Sequence, residues 1–219
     1  MGNKFREAGK RKRIWLKLGL CFGFFLLLFT GGVFFRFRGS VPAEPLTEIP
    51  AGQVVFYRQD GQDWKDEKLG GSEFTMEFSG CLTACIASVL EMEEAGPRAG
   101  EPMNPGELNR LFSENQVYDS QGNIQWGPLE QVLGLKVQRE DGREVSAGNM
   151  EGMLSRGVFP IARVRMKGVG SFHYVVVVQA GEGQFWCMDP LKQEGELVPL
   201  SEYGGRIYAV RYLMEKEES

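Results

Sequence analysis

Three side chains that lie far apart in the sequence could together perform nucleophilic chemistry: a cysteine, a histidine and an aspartate. His173 is the only histidine among the 219 residues, so a histidine-assisted mechanism has a single candidate base. Imidazole titrates near neutral pH and is the usual proton acceptor for a thiol. Cys81 lies upstream at a predicted helix start, and Asp189 follows a predicted strand. This order indicates a cysteine nucleophile, a histidine base and a carboxylate that orients the base.

The local sequence around each residue is compatible with these roles. The start of a helix presents unpaired backbone N–H groups and the positive end of the helix dipole, which favour a thiolate at Cys81. His173 precedes four valines on an apolar strand, which would be a rigid support for a base. Each residue also has a purely structural alternative. Cys81 could be a small buried residue, His173 a hydrogen-bonded core histidine, and Asp189 part of an ordinary Asp-Pro turn.

An apolar segment near the N-terminus predicts a membrane anchor. Residues 18–35 contain no charge, and at ~1.5 Å per residue a helix of this length covers roughly 27 Å, about the thickness of the bilayer core. More positive charge precedes the segment than follows it, so the N-terminus should lie in the cytoplasm and the rest outside. A cleaved signal peptide is the alternative, but its apolar core is normally shorter. We favour an uncleaved, single-pass anchor in the cell membrane.

The remaining charge and the cysteines narrow the function further. From Gly39 onward the chain has 16 Lys and Arg against 28 Asp and Glu, a net charge of −12 that argues against a nucleic-acid-binding surface. Three cysteines lie beyond the apolar segment, so at least one free thiol is expected outside the membrane: Cys81, Cys85 and Cys187. A zinc site built from these thiols and His173 is disfavoured because no CxxC pair is present. We predict no metal and no cofactor.

The predicted organisation has five parts. A basic cytoplasmic tail (1–13) precedes the anchor (14–36), and a proline-containing tether (37–52) leads to one globular domain (53–214) with a short acidic tail (215–219). Apolar periodicity and capping residues predict helices that begin at Cys81 and that cover 104–115, Trp126–Leu133 and 146–156. Strands are predicted over 54–57, 158–164, 174–178, Gln184–Met188 and 206–212. Helices followed by a meander of strands predict an α+β fold, with a helical lobe packed on an antiparallel β-sheet.

Four short motifs in this order resemble the bacteriocin-processing (double-glycine-leader) cysteine peptidases, a papain-like family. Members show a glutamine five residues before a tryptophan, a Ser-Gly-Cys helix start, a His-Tyr/Phe-Val-Val strand and an Asp-Pro turn. In this chain the motifs read Gln59-Asp-Gly-Gln-Asp-Trp64, Ser79-Gly80-Cys81, His173-Tyr174-Val175-Val176 and Asp189-Pro190. The chain departs from the family after the cysteine, where Leu82-Thr83-Ala84-Cys85 replaces a Gly-Pro-Thr-like run.

The resemblance implies a papain-like fold and assigns four catalytic residues. Cys81 would be the nucleophile, His173 the general base and acid, Asp189 the orienting residue, and Gln59 a donor to the oxyanion hole beside the Cys81 backbone N–H. Gln62 is a second candidate for that donor. Trp64 is expected to pack rather than to react.

We therefore expect a membrane-anchored, extracytoplasmic cysteine peptidase that hydrolyses peptide or protein substrates through a thioester. Two alternatives use the same scaffold. One is a transglutaminase-like acyltransferase, and the other is a peptide-binding domain without turnover. The sequence does not predict the substrate or the oligomeric state.

Overall fold

The computed structural model describes residues 2–96 and 103–216, and it divides the chain into two compact units, Met1–Arg38 and Gly39–Ser219. The first unit contains one helix, α1 (Gly2–Phe37), in which the side chains of 2–14, 16 and 34–36 are outside the description. In the described part of the chain, no helix combines the length and the apolar character that crossing a membrane requires. The membrane anchor and the basic tail stay predictions from the sequence. Residues 217–219 of the predicted acidic tail lie outside the described residues.

The second unit contains five helices and eight strands among the described residues. The helices are α2 (Met76–Ser79), α3 (Cys81–Met92), α4 (Pro105–Glu114), α5 (Trp126–Leu133) and α6 (Ala147–Leu154). The strands are β1 (Val41–Pro42), β2 (Leu135–Asp141), β3 (Ile161–Arg165), β4 (Phe172–Gly181), β5 (Gln184–Met188), β6 (Leu197–Pro199), β7 (Arg206–Ile207) and β8 (Ala209–Glu215). Single 3₁₀ turns cover Gly142–Glu144, Met166–Gly168 and Leu200–Tyr203.

An antiparallel sheet with the strand order β2-β8-β3-β4-β5-β6 forms the centre of this unit. Alternate side chains of its strands enter two separate apolar clusters, as the two-residue repeat of a strand requires. One cluster joins the sheet to α3, α4 and α5, and the other joins it to α6. The predicted α+β class, with helices packed on an antiparallel sheet, is therefore confirmed.

Local capping chemistry explains why the helices begin where the sequence predicts. Asn104 accepts a hydrogen bond from the Glu107 N–H while the Glu107 side chain accepts from the Asn104 N–H, a reciprocal capping box. Ser146 caps α6 through the Asn149 N–H. α5 has the predicted bounds and ends at Gly134, whose φ of 70° lies in the left-handed region that favours glycine. The helix predictions are confirmed.

The strand predictions are only partly correct. Residues 54–57 do not form a strand, and the side chains of Val54, Phe56 and Tyr57 pack against the helical cluster instead. The prediction was wrong because it used apolar content, which does not show whether a neighbouring strand is available for pairing. The predicted strand over 206–212 is divided into β7 and β8. β2 was not predicted, because as an edge strand it carries mostly polar residues. β6, with only three residues, was also missed.

Residues 39–52 pack on the domain, whereas the sequence predicts a semi-extended tether over 37–52. Val41–Pro42 pairs with β7, and Ile49 forms an isolated bridge with Ala180. The backbone N–H groups of Leu46 and Thr47 both donate to one carboxylate oxygen of Glu151 on α6, at 2.9 and 2.6 Å. Backbone hydrogen bonds explain this difference from the prediction, since proline-rich composition does not reveal them.

Replacing Glu151 should release this segment. Burial alone would raise the pKa of Glu151, but hydrogen bonds from Thr47 and Leu46 lower it below the usual range. The carboxylate therefore stabilises the fold above the ordinary glutamate pKa, and this stabilisation is lost as the pH falls. We predict that Glu151→Ala lowers the free energy of unfolding at pH 7 by roughly 2 kcal/mol. Hydrogen exchange at residues 43–50 should become faster, whereas exposed Glu194→Ala should change neither quantity.

Candidate active site

Cys81 is the first residue of α3, as the sequence predicts, and its side chain is partly exposed. Helix-start N–H groups have no acceptor within their own helix, so they can stabilise negative charge near the thiol. Gly80 is required for the tight chain path into the helix. A Cβ at this position would lie 2.5 Å from the backbone oxygen of Met76. The chain can therefore place a cysteine at the helix start only because a glycine precedes it.

His173 and Asp189 meet on neighbouring antiparallel strands. His173 is the second residue of β4, and Asp189 directly follows β5. The imidazole Nε2 lies 2.7 Å from Asp189 Oδ1, and both side chains are buried. Because Nε2 is occupied by the carboxylate, Nδ1 is the ring nitrogen that remains for the thiol of Cys81.

Three donors hold the Asp189 carboxylate in place. Besides His173, the Leu191 N–H donates to Oδ1 at 2.8 Å and the Tyr203 hydroxyl donates to Oδ2 at 2.5 Å. Burial alone would raise the pKa of Asp189, but the hydrogen bonds from His173, Tyr203 and Leu191 lower it below its usual value. Asp189 therefore stays ionised and can orient the imidazole.

Tyr203 is a part of the site that the sequence reasoning missed. It lies in the 3₁₀ turn after β6, and no motif spacing connects it with Asp189. Burial and the Asp189 charge raise the pKa of Tyr203, so the hydroxyl keeps its proton and acts as the donor. Only the folded sheet brings these two side chains together.

The surroundings of His173 favour the protonated imidazole. Burial alone would lower its pKa, but the hydrogen bond to Asp189 and the neighbouring Cys81 thiol raise it to about 9. At neutral pH the imidazole is therefore protonated, and it places a positive charge and a transferable proton beside the Cys81 sulfur.

Gln59 is buried and lies in the same cleft as Cys81 and His173. Its side-chain amide donates to the Glu77 backbone oxygen at 2.6 Å, and its backbone N–H donates to the Pro190 oxygen at 3.0 Å. An amide nitrogen carries two hydrogens, so one remains for a ligand in the cleft. Gln62, the second candidate, is exposed, and it does not line that cleft. Trp64 packs against the helical cluster and donates to the Arg58 oxygen at 2.9 Å.

The cleft at Cys81 has a volume of about 380 Å³, and its walls are both polar and apolar. The aromatic rings of Phe74 and Phe78 stack at 6.2 Å on one side, and both are exposed. The amide side chains of Gln121 and Asn123 also line the cleft. Such a mixture can hold an extended chain, since polar groups contact its backbone and rings contact its side chains.

The other two cysteines of this unit are core residues. Cys85 and Cys187 are fully buried, and burial raises the pKa of both thiols. Cys85 donates to the Tyr174 backbone oxygen at 3.4 Å. Within the described ranges, no group of three His, Cys, Asp or Glu side chains is arranged to hold a metal ion. Cys81 is therefore the thiol of this unit that a substrate in the cleft can reach.

Comparison with known proteins finds a likeness to solved structures only at low sequence identity. No protein-family model and no curated protein sequence matches the chain. Among solved structures, the chain is similar to the crystal structure of a provisionally assigned C39-like peptidase from Bacillus anthracis. The identity is 14%, and the match covers 78% of this chain and 100% of that chain with a TM-score of 0.49. The function proposed below depends on the side chains around Cys81 and not on this likeness.

The charge on His173 should be measurable through alkylation of Cys81. An imidazolium attracts iodoacetate, which is negatively charged, but not neutral iodoacetamide. We predict that the ratio of the two alkylation rates falls as the pH rises through about 9, where His173 loses its proton. Asp189→Asn removes a carboxylate that raises the pKa of His173, so the fall should occur roughly one to two pH units lower.

Peptide-level mass spectrometry can follow Cys81 separately from Cys21, which is also exposed. Asp63→Asn, at an exposed position, is the matched control and should leave the profile unchanged. An unchanged profile in Asp189→Asn would contradict the proposed influence of the carboxylate on His173.

Proposed function

We propose that this protein is a papain-like cysteine peptidase that uses Cys81, His173, Asp189 and Gln59. One observation carries the proposal. A partly exposed thiol at a helix start lies beside an imidazole whose other nitrogen is hydrogen-bonded to a buried, ionised carboxylate. This arrangement meets the chemical needs of a thiolate nucleophile, a proton donor and an orienting acid. The motif order described above supports the same assignment.

In the first step, the Cys81 thiolate attacks the carbonyl carbon of the scissile peptide bond. The carbonyl oxygen then gains negative charge and needs donors that are already in place. The backbone N–H at the start of α3 and the free hydrogen of the Gln59 amide are the candidates. The Gln59 side chain is held by its hydrogen bond to the Glu77 backbone oxygen, and the Gln59 backbone is held by its hydrogen bond to the Pro190 oxygen.

In the second step, the His173 imidazolium gives its proton to the leaving amine, and the carbon–nitrogen bond breaks. The acyl group remains on Cys81 as a thioester. The neutral imidazole then takes a proton from water, which attacks the thioester and releases the carboxylic acid. Asp189 keeps its negative charge throughout and holds the ring in one orientation.

Substitutions of the cleft residues should abolish or reduce peptide hydrolysis while the protein stays folded. We predict that Cys81→Ala and His173→Ala abolish peptide hydrolysis, because the chain has no second histidine to act as base. Gln59→Ala should lower kcat roughly 100-fold, since one oxyanion donor is lost. Activity is measured on a library of peptides, and circular dichroism confirms that each variant is folded.

Two matched variants serve as controls for this panel. Gln62→Ala removes the exposed glutamine of the same loop, and Cys21→Ala removes an exposed thiol outside the site. Both should keep full activity. Hydrolysis by Cys81→Ala, or equal losses from Gln59→Ala and Gln62→Ala, would overturn the assignment.

The same panel discriminates the two alternative functions. An acyltransferase would transfer the acyl group from Cys81 to an added amine in preference to water. In a binding domain without turnover, a thiol-directed peptide probe would label Cys81 no faster than it labels an ordinary free thiol. We expect hydrolysis to dominate and labelling to depend on His173.

The location outside the cytoplasm is also a proposal, and the apolar segment 18–35 and the basic residues before it support it. A membrane-impermeant thiol reagent tests it in intact cells. Glu194→Cys, at an exposed position of the domain, should be labelled directly, whereas Ala8→Cys in the basic tail should require permeabilised cells. The reverse pattern would contradict the proposed orientation.

A further inference from the structure

A second pocket of about 220 Å³ adjoins Cys81, and two arginines line it. Cys81 and Asn123 line this pocket as well as the main cleft, so the two spaces meet at the nucleophile. Arg163 and Arg211 supply the positive charge of this second space, which we call the arginine pocket. The proposed reaction does not use either arginine.

Strand register explains how the two arginines come together. Arg163 on β3 lies opposite Tyr174 on β4, and Arg211 on β8 lies opposite Ile161, two positions before Arg163. Directly opposed residues and residues two apart point to the same face of a sheet. Tyr174 is the residue after His173, so the same strand supplies the base and one wall of the pocket.

The structure holds the guanidinium groups without neutralising both of them. Arg211 is only 7% exposed; it donates to the Val210 oxygen at 2.8 Å and to the Asp141 carboxylate at 2.9 Å. Asp141 is exposed, so water screens this pair. In the described part of the chain, no carboxylate forms an ion pair with Arg163. The Nε atoms of both arginines are buried and have no hydrogen-bond partner among the described residues.

Aromatic rings fix the guanidinium groups in position. The Arg163 guanidinium lies 4.4 Å from the centre of the Phe172 ring, and that of Arg211 lies 5.3 Å from the Trp126 ring. Arg165 lies at 4.0 Å from the same Phe172 ring and adds a third positive charge near the cleft. Stacked arginines lose less freedom when they bind a planar carboxylate.

The charge around Cys81 is therefore opposite to that of the domain as a whole. No aspartate or glutamate lines the cleft or the arginine pocket in the described residues, although residues 39–219 carry a net charge of −12. Arg163 is half-buried and has no ion pair among the described residues, and partly desolvated positive charge of this kind is costly unless a ligand completes the pairing.

We propose that the arginine pocket binds a carboxylate of the substrate close to the scissile bond, so that the enzyme prefers substrates with an acidic group there. This inference rests on the proposed peptidase function. The pocket combines two planar donors that suit a carboxylate with the apolar side of Trp126 and Leu82. A neutral amide of the same shape would leave the Arg163 charge without a carboxylate partner.

Matched peptides test this preference. Each pair differs only by Glu or Gln at one position near the scissile bond, and kcat/KM is measured for both. The enzyme should cleave the best Glu peptide roughly 10- to 100-fold faster than its Gln partner. Arg163→Gln should bring this ratio close to one by lowering kcat/KM for the Glu peptide more than for the Gln peptide, whereas Arg163→Lys should keep part of the ratio.

Arg156→Gln is the control. Arg156 is exposed just after α6 and does not line the pocket, so the substitution removes one positive charge outside the proposed site. It should leave the Glu/Gln ratio unchanged. A wild-type ratio near one, or an equal fall in Arg156→Gln, would overturn the proposal whether or not Arg163→Gln folds.

Free and amidated peptides identify the source of the carboxylate. If only peptides with a free C-terminus are preferred, and the preference depends on Arg163, the pocket binds a chain terminus. If amidation has no effect, it binds an acidic side chain. Either result supports carboxylate recognition.

A second readout does not require peptidase activity. In Arg163→Gln, alkylation of Cys81 by iodoacetate relative to iodoacetamide at pH 7 should fall roughly threefold, because one nearby positive charge is lost. If no peptide is cleaved but the iodoacetate/iodoacetamide ratio falls, the arginine pocket is supported and the proposed peptidase function is contradicted. If peptides are cleaved but Arg163→Gln changes neither the Glu/Gln ratio nor the alkylation ratio, the peptidase function is supported and the pocket proposal is contradicted.

Discussion

The hydrogen bond between His173 and Asp189 is the interaction on which the site depends. Removing a carboxylate from water costs several kcal/mol unless other groups replace the lost hydration. Here the imidazole, the Tyr203 hydroxyl and the Leu191 N–H replace it. The compensated charge in turn raises the pKa of His173 and fixes which ring nitrogen faces the thiol. Packing that holds Asp189 therefore also controls the protonation state of the only imidazole in the chain.

The architecture delivers these groups from elements that cannot move independently. β4 and β5 are paired neighbours in the middle of the sheet, and α3 packs against β4 through the larger apolar cluster. Cys81 and His173 are thus held by two elements that share a core. Gln59 comes from an irregular segment, but its hydrogen bonds to Glu77 and Pro190 attach it to the same region. Rigid support of this kind keeps reacting groups within short distances of one another.

Local signals in the sequence predict much of this arrangement. The Asn104 capping box and the Gly80–Cys81 helix start depend on neighbouring residues, which a sequence displays directly. The prediction of a strand over 54–57 was wrong because an apolar run does not show whether a neighbouring strand is available for pairing. β2 was missed for the opposite reason, since its polar edge-strand pattern becomes a strand only through pairing with β8.

The unpredicted parts of the site are those that depend on strand register. Tyr203 reaches Asp189, and Arg163 lies beside Tyr174, only because particular strands pair in a particular alignment. Neither contact has a fixed spacing in the sequence. Residues that complete a site from distant strands are therefore harder to predict than a nucleophile at a helix start.

Net charge is a poor guide to what this cleft binds. Screening in water limits the influence of exposed carboxylates to about 10 Å, whereas a buried guanidinium next to the substrate acts at contact distance. Arginine suits this position better than lysine, because it stays charged when buried and stacks on aromatic rings such as Phe172 and Trp126. In the proposed recognition, an acidic domain selects an acidic substrate. The surrounding negative charge would slow the approach of that substrate, and Arg163 and Arg211 would supply the attraction only near Cys81.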